Sequence, residues 1–325
     1  MRILAIRLAR LGDIILLLPA LGALKRSLPD SHLTFLTGHR CAPVAELCPD
    51  IDEVISVDRI ALRDGPPWKA AAAMLRLLKD VRRRKFDLVV DFHSFRETNL
   101  LAWLSGAPAR VAMKRDRAPY LGFCFNRPPV LEDKSLHVGD MFRKVVEEVV
   151  GGKLVPGVTR DSIRPRGKYS GERYVVLYVD APVPERIWPP ESFAELADFI
   201  IEKLRLKVVV IGGSESAHLT DRVLGASHHA HELDVRKDLT IPDLVDLIAS
   251  SRLLVSNDTG PMHIGPAAGV PTLGLFSVGL PQHFQPAGPN DRFLRANPIQ
   301  MIEVKDVTKA VEEMWVTIAG RDLQR

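Results

Sequence analysis

Cysteine is scarce: the 325-residue chain has three, Cys41, Cys48 and Cys124, irregularly spaced and without a C-x-x-C pair. That excludes a disulfide scaffold, offers no zinc half-site, and fits a reducing cytoplasm. Long apolar runs are missing too. Arg2, Arg7 and Arg10 ahead of Ile14 to Leu18 mimic a signal peptide, but Asp13 breaks the apolar block. Pro19 then ends it at about half the ~20 residues a membrane span needs. A soluble protein, attached at most to a membrane surface, is expected. No short repeat or low-complexity tract is present. Two catalytic signatures are also absent. There is no G-x-G-x-x-G fingerprint with an acidic residue after a second strand, which argues against a nicotinamide enzyme. There is no G-x-S-x-G nucleophile elbow either.

What is present is ordinary globular material: 46% hydrophobic and 26% charged residues, with a mean hydropathy of +0.03. At 36.1 kDa the chain exceeds what one hydrophobic core usually serves, so two domains are expected. Residues 1–160 carry 26 basic against 18 acidic side chains, and residues 161–325 carry 18 against 22. The first half is therefore the expected docking place for an anionic partner. The run Arg82 to Lys85 is either part of that surface or a solvated helix end.

Short β-branched runs alternate with helical stretches, the pattern of a parallel sheet covered by helices. Strands are expected at 3–7, 33–36, 54–57, 88–91 and 110–112, then at 174–179, 207–211, 253–256 and 272–276. Helices are expected at 14–27, 70–84, 138–150, 191–203, 241–250 and 261–268. A last helix over 306–319 is free to pack on either unit. The segment from Gly151 to Gly171 is rich in Gly, Pro and Arg and reads as the boundary. Two doubly wound domains, 1–160 and 161–325, are expected to face each other across a ligand cleft.

Four constellations carry candidate chemistry. In Arg7-Leu8-Ala9-Arg10-Leu11-Gly12-Asp13, Gly12 is expected to let the chain turn tightly, and Asp13 either faces the cleft or caps the next helix. In Asn257-Asp258-Thr259-Gly260-Pro261-Met262-His263, a strand enters a helix through Pro261. Free amides at Thr259, Gly260 and Met262 to Ile264 are expected to receive a diphosphate, with His263 beside it. Arg186, before Trp188-Pro189, offers a fork that matches phosphate oxygens. After Gly212-Gly213, Glu215 offers acceptors for ribose hydroxyls. His228, His229 and His231 read as a surface loop, and Cys41 and Cys48 as buried helix residues.

These residues, in this order, resemble glycosyltransferase family 9, the lipopolysaccharide core heptosyltransferases. The resemblance rests on Arg7 to Asp13 followed by Leu18-Pro19-Ala20-Leu21, then Arg186-x-Trp188-Pro189 and Gly212-Gly213-x-Glu215. It continues through Ser256 to His263 and Gly269-x-Pro271. It implies a GT-B fold and inverting transfer of heptose from ADP-heptose to an anionic, lipid A-linked inner-core acceptor, with no catalytic metal, cofactor or nucleic acid. By the same resemblance Asp13 is the general base, with Arg10 and Gly12 beside the acceptor. Arg186, Thr259, Gly260 and His263 fall at the donor diphosphate, Glu215 at the ribose and Asp258 at the donor sugar. A cytoplasmic enzyme working on the inner face of the inner membrane follows.

The chain departs from the family pattern in three places. Ala9 and Arg10 replace small hydroxyl residues, Asp180-Ala181-Pro182 replaces a Gly-Ala-Ser-like turn, and Ser277-Val278-Gly279 replaces a Gly-Pro-Thr-like loop. Alternatives are a nucleotide-sugar-binding shell without turnover, a transferase for another nucleotide sugar, and a GT-B epimerase. The epimerase would need acidic and histidine residues at the anomeric centre that the sequence does not place.

Overall fold

A computed structural model describes residues 1–59, 61, 66–152, 154, 162–169, 173–213 and 216–322. The chain forms two compact units, Met1–Val158 and Thr159–Arg325. About half of the segment read as the boundary, 151–171, lies outside the described residues, as does Glu215.

The first unit has a six-stranded parallel sheet in the order β3-β2-β1-β4-β5-β6. The strands are β1 (Arg2–Arg7), β2 (His32–Gly38), β3 (Glu53–Val57), β4 (Leu88–Asp91), β5 (Ala109–Lys114) and β6 (Val130–Leu131). Every described pairing is parallel, which fits central strands with no polar face: all four residues of β4 are buried. Helix Leu11–Ser27 follows β1 and packs on helix Val138–Val150, which ends at Gly151 in the left-handed region, φ 72°.

The second unit repeats this topology. Its strands are β7 (Tyr174–Tyr178), β8 (Lys207–Ile211), β9 (Leu233–Arg236), β10 (Leu253–Asn257), β11 (Thr272–Phe276) and β12 (Arg292–Arg295). Their order is β12-β11-β10-β7-β8-β9, again all parallel. Numbered within its own unit, each sheet runs 3-2-1-4-5-6, the Rossmann order, with a switch point between its first and fourth strands.

The last helix, Val304–Asp322, packs within its own unit: Val307, Val311, Met314 and Ile318 join the core made by Val175, Val208, Val255 and Leu273. Trp188, fully buried, donates through Nε1 to the Ile302 carbonyl at 2.9 Å and meets the Phe193 ring edge-on.

Some local expectations are corrected. The first helix begins at Leu11 rather than at Ile14, with Arg10 at its N-cap position. Gly12 is therefore a buried helical residue, not the pivot of a turn, and Asp13 sits inside the first turn instead of capping it. The segment after β10 is a short 3₁₀ turn, Gly260–His263, followed by one α-turn, Ile264–Ala267. Gly265 explains the close fit there, because a Cβ at that position would lie 2.1 Å from Thr272 Oγ1 on β11. Helix Pro190–Phe199 loosens into a π-turn over Ile200–Leu204, and helices Arg96–Leu104 and Ala217–Ala226 were not expected from the sequence.

All three cysteines are free and buried. Burial pushes the Cys41 thiol up to about 11 and Cys48 up to about 12. Cys41 closes a 3₁₀ turn, His39–Cys41, and Cys48 follows helix Ala42–Ala45, so neither is a helix residue in the sense expected. No described helix is long and apolar enough to cross a membrane.

Candidate active site

The functional candidates gather at the carboxyl ends of the strands flanking each switch point. In an open α/β sheet this is where adjacent connections part and leave a crevice.

In the first unit, β1 and β4 are neighbours, with Ile6 opposite Asp91. Arg7 ends β1 and is only 2% exposed. Its guanidinium donates to the Phe92 carbonyl at 2.5 Å through Nη1 and to Asp13 Oδ1 at 2.7 Å through Nη2. It also lies 4.9 Å from the centroid of the Phe142 ring. Burial lowers the Arg7 pKa, while the Asp13 carboxylate opposes that shift. Asp13 keeps 29% of its side chain exposed, so the pair joins a buried cation to a carboxylate open to solvent. Arg10 is exposed, and its side chain makes no cap hydrogen bond.

The connection after β4 was missed at the sequence level. Asp91 is fully buried and accepts from the His93 and Ser94 amides at 2.9 and 2.8 Å and from Asn99 Nδ2 at 2.9 Å. Burial raises its pKa, and these hydrogen bonds oppose the shift. The turn it holds places Ser94 at φ 54°. His93 is 5% exposed, and burial together with the charges of Arg7, Arg59 and Arg115 lowers its pKa to about 3. It is a neutral imidazole at physiological pH. The available signal was an Asp closing a buried strand and followed by His-Ser; no motif marks it.

In the second unit, β7 and β10 flank the switch point. Asn257 closes β10 and ties its surroundings together, accepting from the Trp188 amide at 3.1 Å and donating to the Val179 carbonyl at 2.9 Å. The next residue, Asp258, donates its amide to the Leu275 carbonyl at 3.0 Å and pairs through Oδ2 with Arg186 Nη1 at 3.1 Å. Burial raises the Asp258 pKa, and Arg186 opposes the shift. Arg186, on the 3₁₀ turn Pro184–Arg186, keeps 31% of its side chain exposed. Gly279 is at φ 107°, and a Cβ there would lie 3.8 Å from both Arg186 Nη2 and Asp258 Oδ2.

The five expected free amides reduce to fewer. Met262 donates to the Thr259 carbonyl at 3.2 Å, and Ile264 donates to that of Pro261. Thr259 and Gly260, both half-buried, have no backbone amide partner among the described residues. The cradle is therefore a tight turn presenting these two amides rather than the end of a long helix dipole. His263 is buried inside that turn.

Outside these sites, His229 bonds Glu232 at 2.8 Å and Glu202 at 3.1 Å. Among the described residues no group of three or more His, Cys, Asp or Glu is placed to hold a metal ion.

Comparison with known proteins sharpens the assignment. The family model for glycosyltransferase family 9 (heptosyltransferase) matches residues 74–313. A putative glycosyltransferase of Haemophilus influenzae is 23% identical, covering 97% of this chain and 98% of its own. Lipopolysaccharide heptosyltransferase 2 of Salmonella typhimurium is 22% identical, covering 91% and 88%. Among solved structures, the Escherichia coli heptosyltransferase WaaC with ADP superposes at a TM-score of 0.84 with 17% identity, covering 97% and 100%. A family 9 glycosyl transferase from Veillonella parvula gives 0.83 with 24% identity, covering 97% of each chain. The fold is GT-B, with two Rossmann-like domains. The chain is a glycosyltransferase and belongs to family 9, the heptosyltransferases.

Proposed function

We propose that this enzyme moves a heptose, with inversion, from ADP-heptose to an anionic inner-core sugar of lipopolysaccharide. The carrying observation is the Arg186–Asp258 pair beside the open amides of Thr259 and Gly260. Breaking the bond between the sugar and the donor phosphate builds negative charge on the leaving diphosphate. A permanent cation and two amides stabilise that charge more in the transition state than in the bound donor. His263 and Glu215 complete the donor site at the diphosphate and ribose, and Asp258 holds the donor sugar. Solved structures of the Escherichia coli heptosyltransferase WaaC, one with ADP and one with ADP-2-deoxy-2-fluoro heptose, support an adenine donor.

Asp13 is the general base. It accepts the proton of the attacking acceptor hydroxyl as the new glycosidic bond forms, and Arg7 fixes its carboxylate for that task. Arg10, exposed at the head of the same helix, meets the acceptor. Gly12, buried one residue before the base, lies beside the acceptor in the same reading.

The acceptor is carried by a lipid, and the first unit suits an anionic membrane surface. Helix Pro67–Arg83 exposes Trp68 and Leu75 on the same flank as Lys69, Arg76, Lys79 and Arg82. Neighbouring Trp103 and Phe123, also exposed, meet edge-on at 5.8 Å. Exposed Trp with basic residues is the composition of an interfacial, non-spanning attachment on the inner face of the inner membrane.

The test is a thermal-shift panel of ADP, UDP, GDP and their sugars, because a ligand that binds only the native state stabilises it. At 100 times its Kd a ligand adds about 2.7 kcal/mol. Stabilisation by ADP and ADP-heptose, with transfer to a core acceptor, is expected. A preference for UDP overturns the donor, and binding without transfer leaves the non-catalytic shell.

A further inference from the structure

We propose that the connection after β4, through His93 and Ser94, is an acceptor subsite beside Asp13 that holds an anionic group, carboxylate or phosphate, of the acceptor. This rests on Asp13 being the catalytic base. Three buried side-chain atoms lack hydrogen-bond partners among the described residues in these adjoining connections: Arg7 Nε, His93 Nδ1 and Ser94 Oγ. Their residues are 2, 5 and 1% exposed. Buried polar groups are normally satisfied, and leaving one open is costly.

Two of the openings, at His93 and Ser94, stand in a turn held by Asp91. Asp91 accepts the amides of both His93 and Ser94, and Asn99 holds its other oxygen. The same turn keeps Ser94, a residue with a Cβ, at φ 54°, a conformation more often left to Gly, Asn or Asp. The polar atoms are thus rigidly placed and unspent, as expected of groups that await a ligand.

Position and charge identify that ligand. Arg7 binds the Phe92 carbonyl with one arm and Asp13 with the other, so a single guanidinium separates this turn from the base. In the second unit the equivalent place, after the fourth strand of the same 3-2-1-4-5-6 order, is occupied by Asp258 to Gly260. The His93 ring centroid lies 4.6 Å from that of Phe95, and the Arg115 guanidinium lies 5.2 Å from the same Phe95 centroid. Arg59, anchored to the Leu8 carbonyl, adds a further cation. Hydroxyl, imidazole and guanidinium N–H groups, with the Arg59 and Arg115 cations near the imidazole, make a donor-rich setting suited to an oxyanion.

The experiment titrates inner-core acceptor onto the ADP-bound protein by calorimetry, using wild type, His93→Gln, Ser94→Ala and Ser94→Gly. The last variant keeps the backbone conformation accessible should Ser94→Ala fold poorly. Three acceptor preparations are compared: intact, phosphatase-treated and carboxylate-esterified. The expected result is at least tenfold weaker acceptor binding in each variant, with the ADP affinity unchanged. The difference should vanish for whichever preparation has lost the recognised anion, which tells phosphate from carboxylate. Equal weakening on all three preparations, or none on any, overturns the proposal. Asp13→Asn, assayed in parallel for turnover, separates failure of the subsite from failure of the base, since it tests the base without touching His93 or Ser94.

Discussion

Replacing Asp13 by Asn removes the proposed proton acceptor while retaining shape. A positioned general base contributes about 10²- to 10⁴-fold, or about 2.7–5.5 kcal/mol of barrier. The structural cost is much smaller. Arg7 Nη2 now meets Asp13 Oδ1 at 2.7 Å, and the Asn amide oxygen can occupy the same place. Exchanging a charged for a neutral acceptor there loses about 1 kcal/mol, worth about 2–4 °C in Tm for a unit of this size. Asp13→Ala is harsher, because it leaves a 3%-exposed guanidinium side chain without that acceptor; about 3 kcal/mol is expected. The assay pairs the rate of heptose transfer with a melting curve and ADP titration. Asp13→Asn should melt within a few degrees of wild type, bind ADP normally and lose at least a hundredfold in kcat. A kcat within tenfold of wild type refutes the assignment of Asp13 as base, whatever the melting curve shows.

Arg186→Ala removes the cation from the donor site, and a charge-assisted hydrogen bond is worth about 1.5–3 kcal/mol, so calorimetry should show ADP binding at least tenfold weaker. A change below threefold would mean that Arg186 serves Asp258 alone. His93 is held neutral to about pH 3 in the folded protein, whereas an unfolded histidine titrates near pH 6.5. Between those values the unfolded state binds more protons, so stability should fall as pH drops from 6.5 toward 3. His93→Gln should lose that part of the slope in urea melts across the window; an unaltered slope contradicts the buried, neutral imidazole. Trp68→Ser combined with Leu75→Ser should reduce co-sedimentation with anionic vesicles, and binding by the wild type should weaken at high salt. Equal binding to neutral vesicles would remove the electrostatic part of that surface.

The central strands were legible because burial on both faces imposes apolar runs: Ile3 to Ile6, Val89-Val90 and Val208 to Ile211. Of the four edge strands, β3 was legible and the other three were not. β12 is Arg-Phe-Leu-Arg and mostly exposed, β9 alternates half-buried and exposed residues, and β6 has only two residues, so none carries that signature. Helix Arg96–Leu104 hid its start because its N-cap residue, Phe95, has no side-chain acceptor; Thr98 Oγ1 takes the Phe95 amide instead. At the site, sequence named Asp13, Arg186 and Asp258, but not that Arg186 pairs with Asp258 or that Arg7 holds Asp13. Arg7 and Asp13 meet because the helix begins three residues earlier than the apolar pattern indicates. His93 and Ser94 drew no notice because an unpaired buried atom is a property of packing and leaves no mark in residue order.

The burial of all three cysteines has a practical consequence for spectroscopy. Alkylating dyes attack the thiolate, and groups held at about 11 and about 12, with Cys124 raised as well, supply almost none at neutral pH. A single cysteine introduced at an exposed position such as Arg10 or Trp68 can therefore be labelled selectively in the otherwise native chain, without first stripping out its own thiols. On the proposed reading, a fluorophore at the first site senses acceptor arrival and one at the second senses lipid.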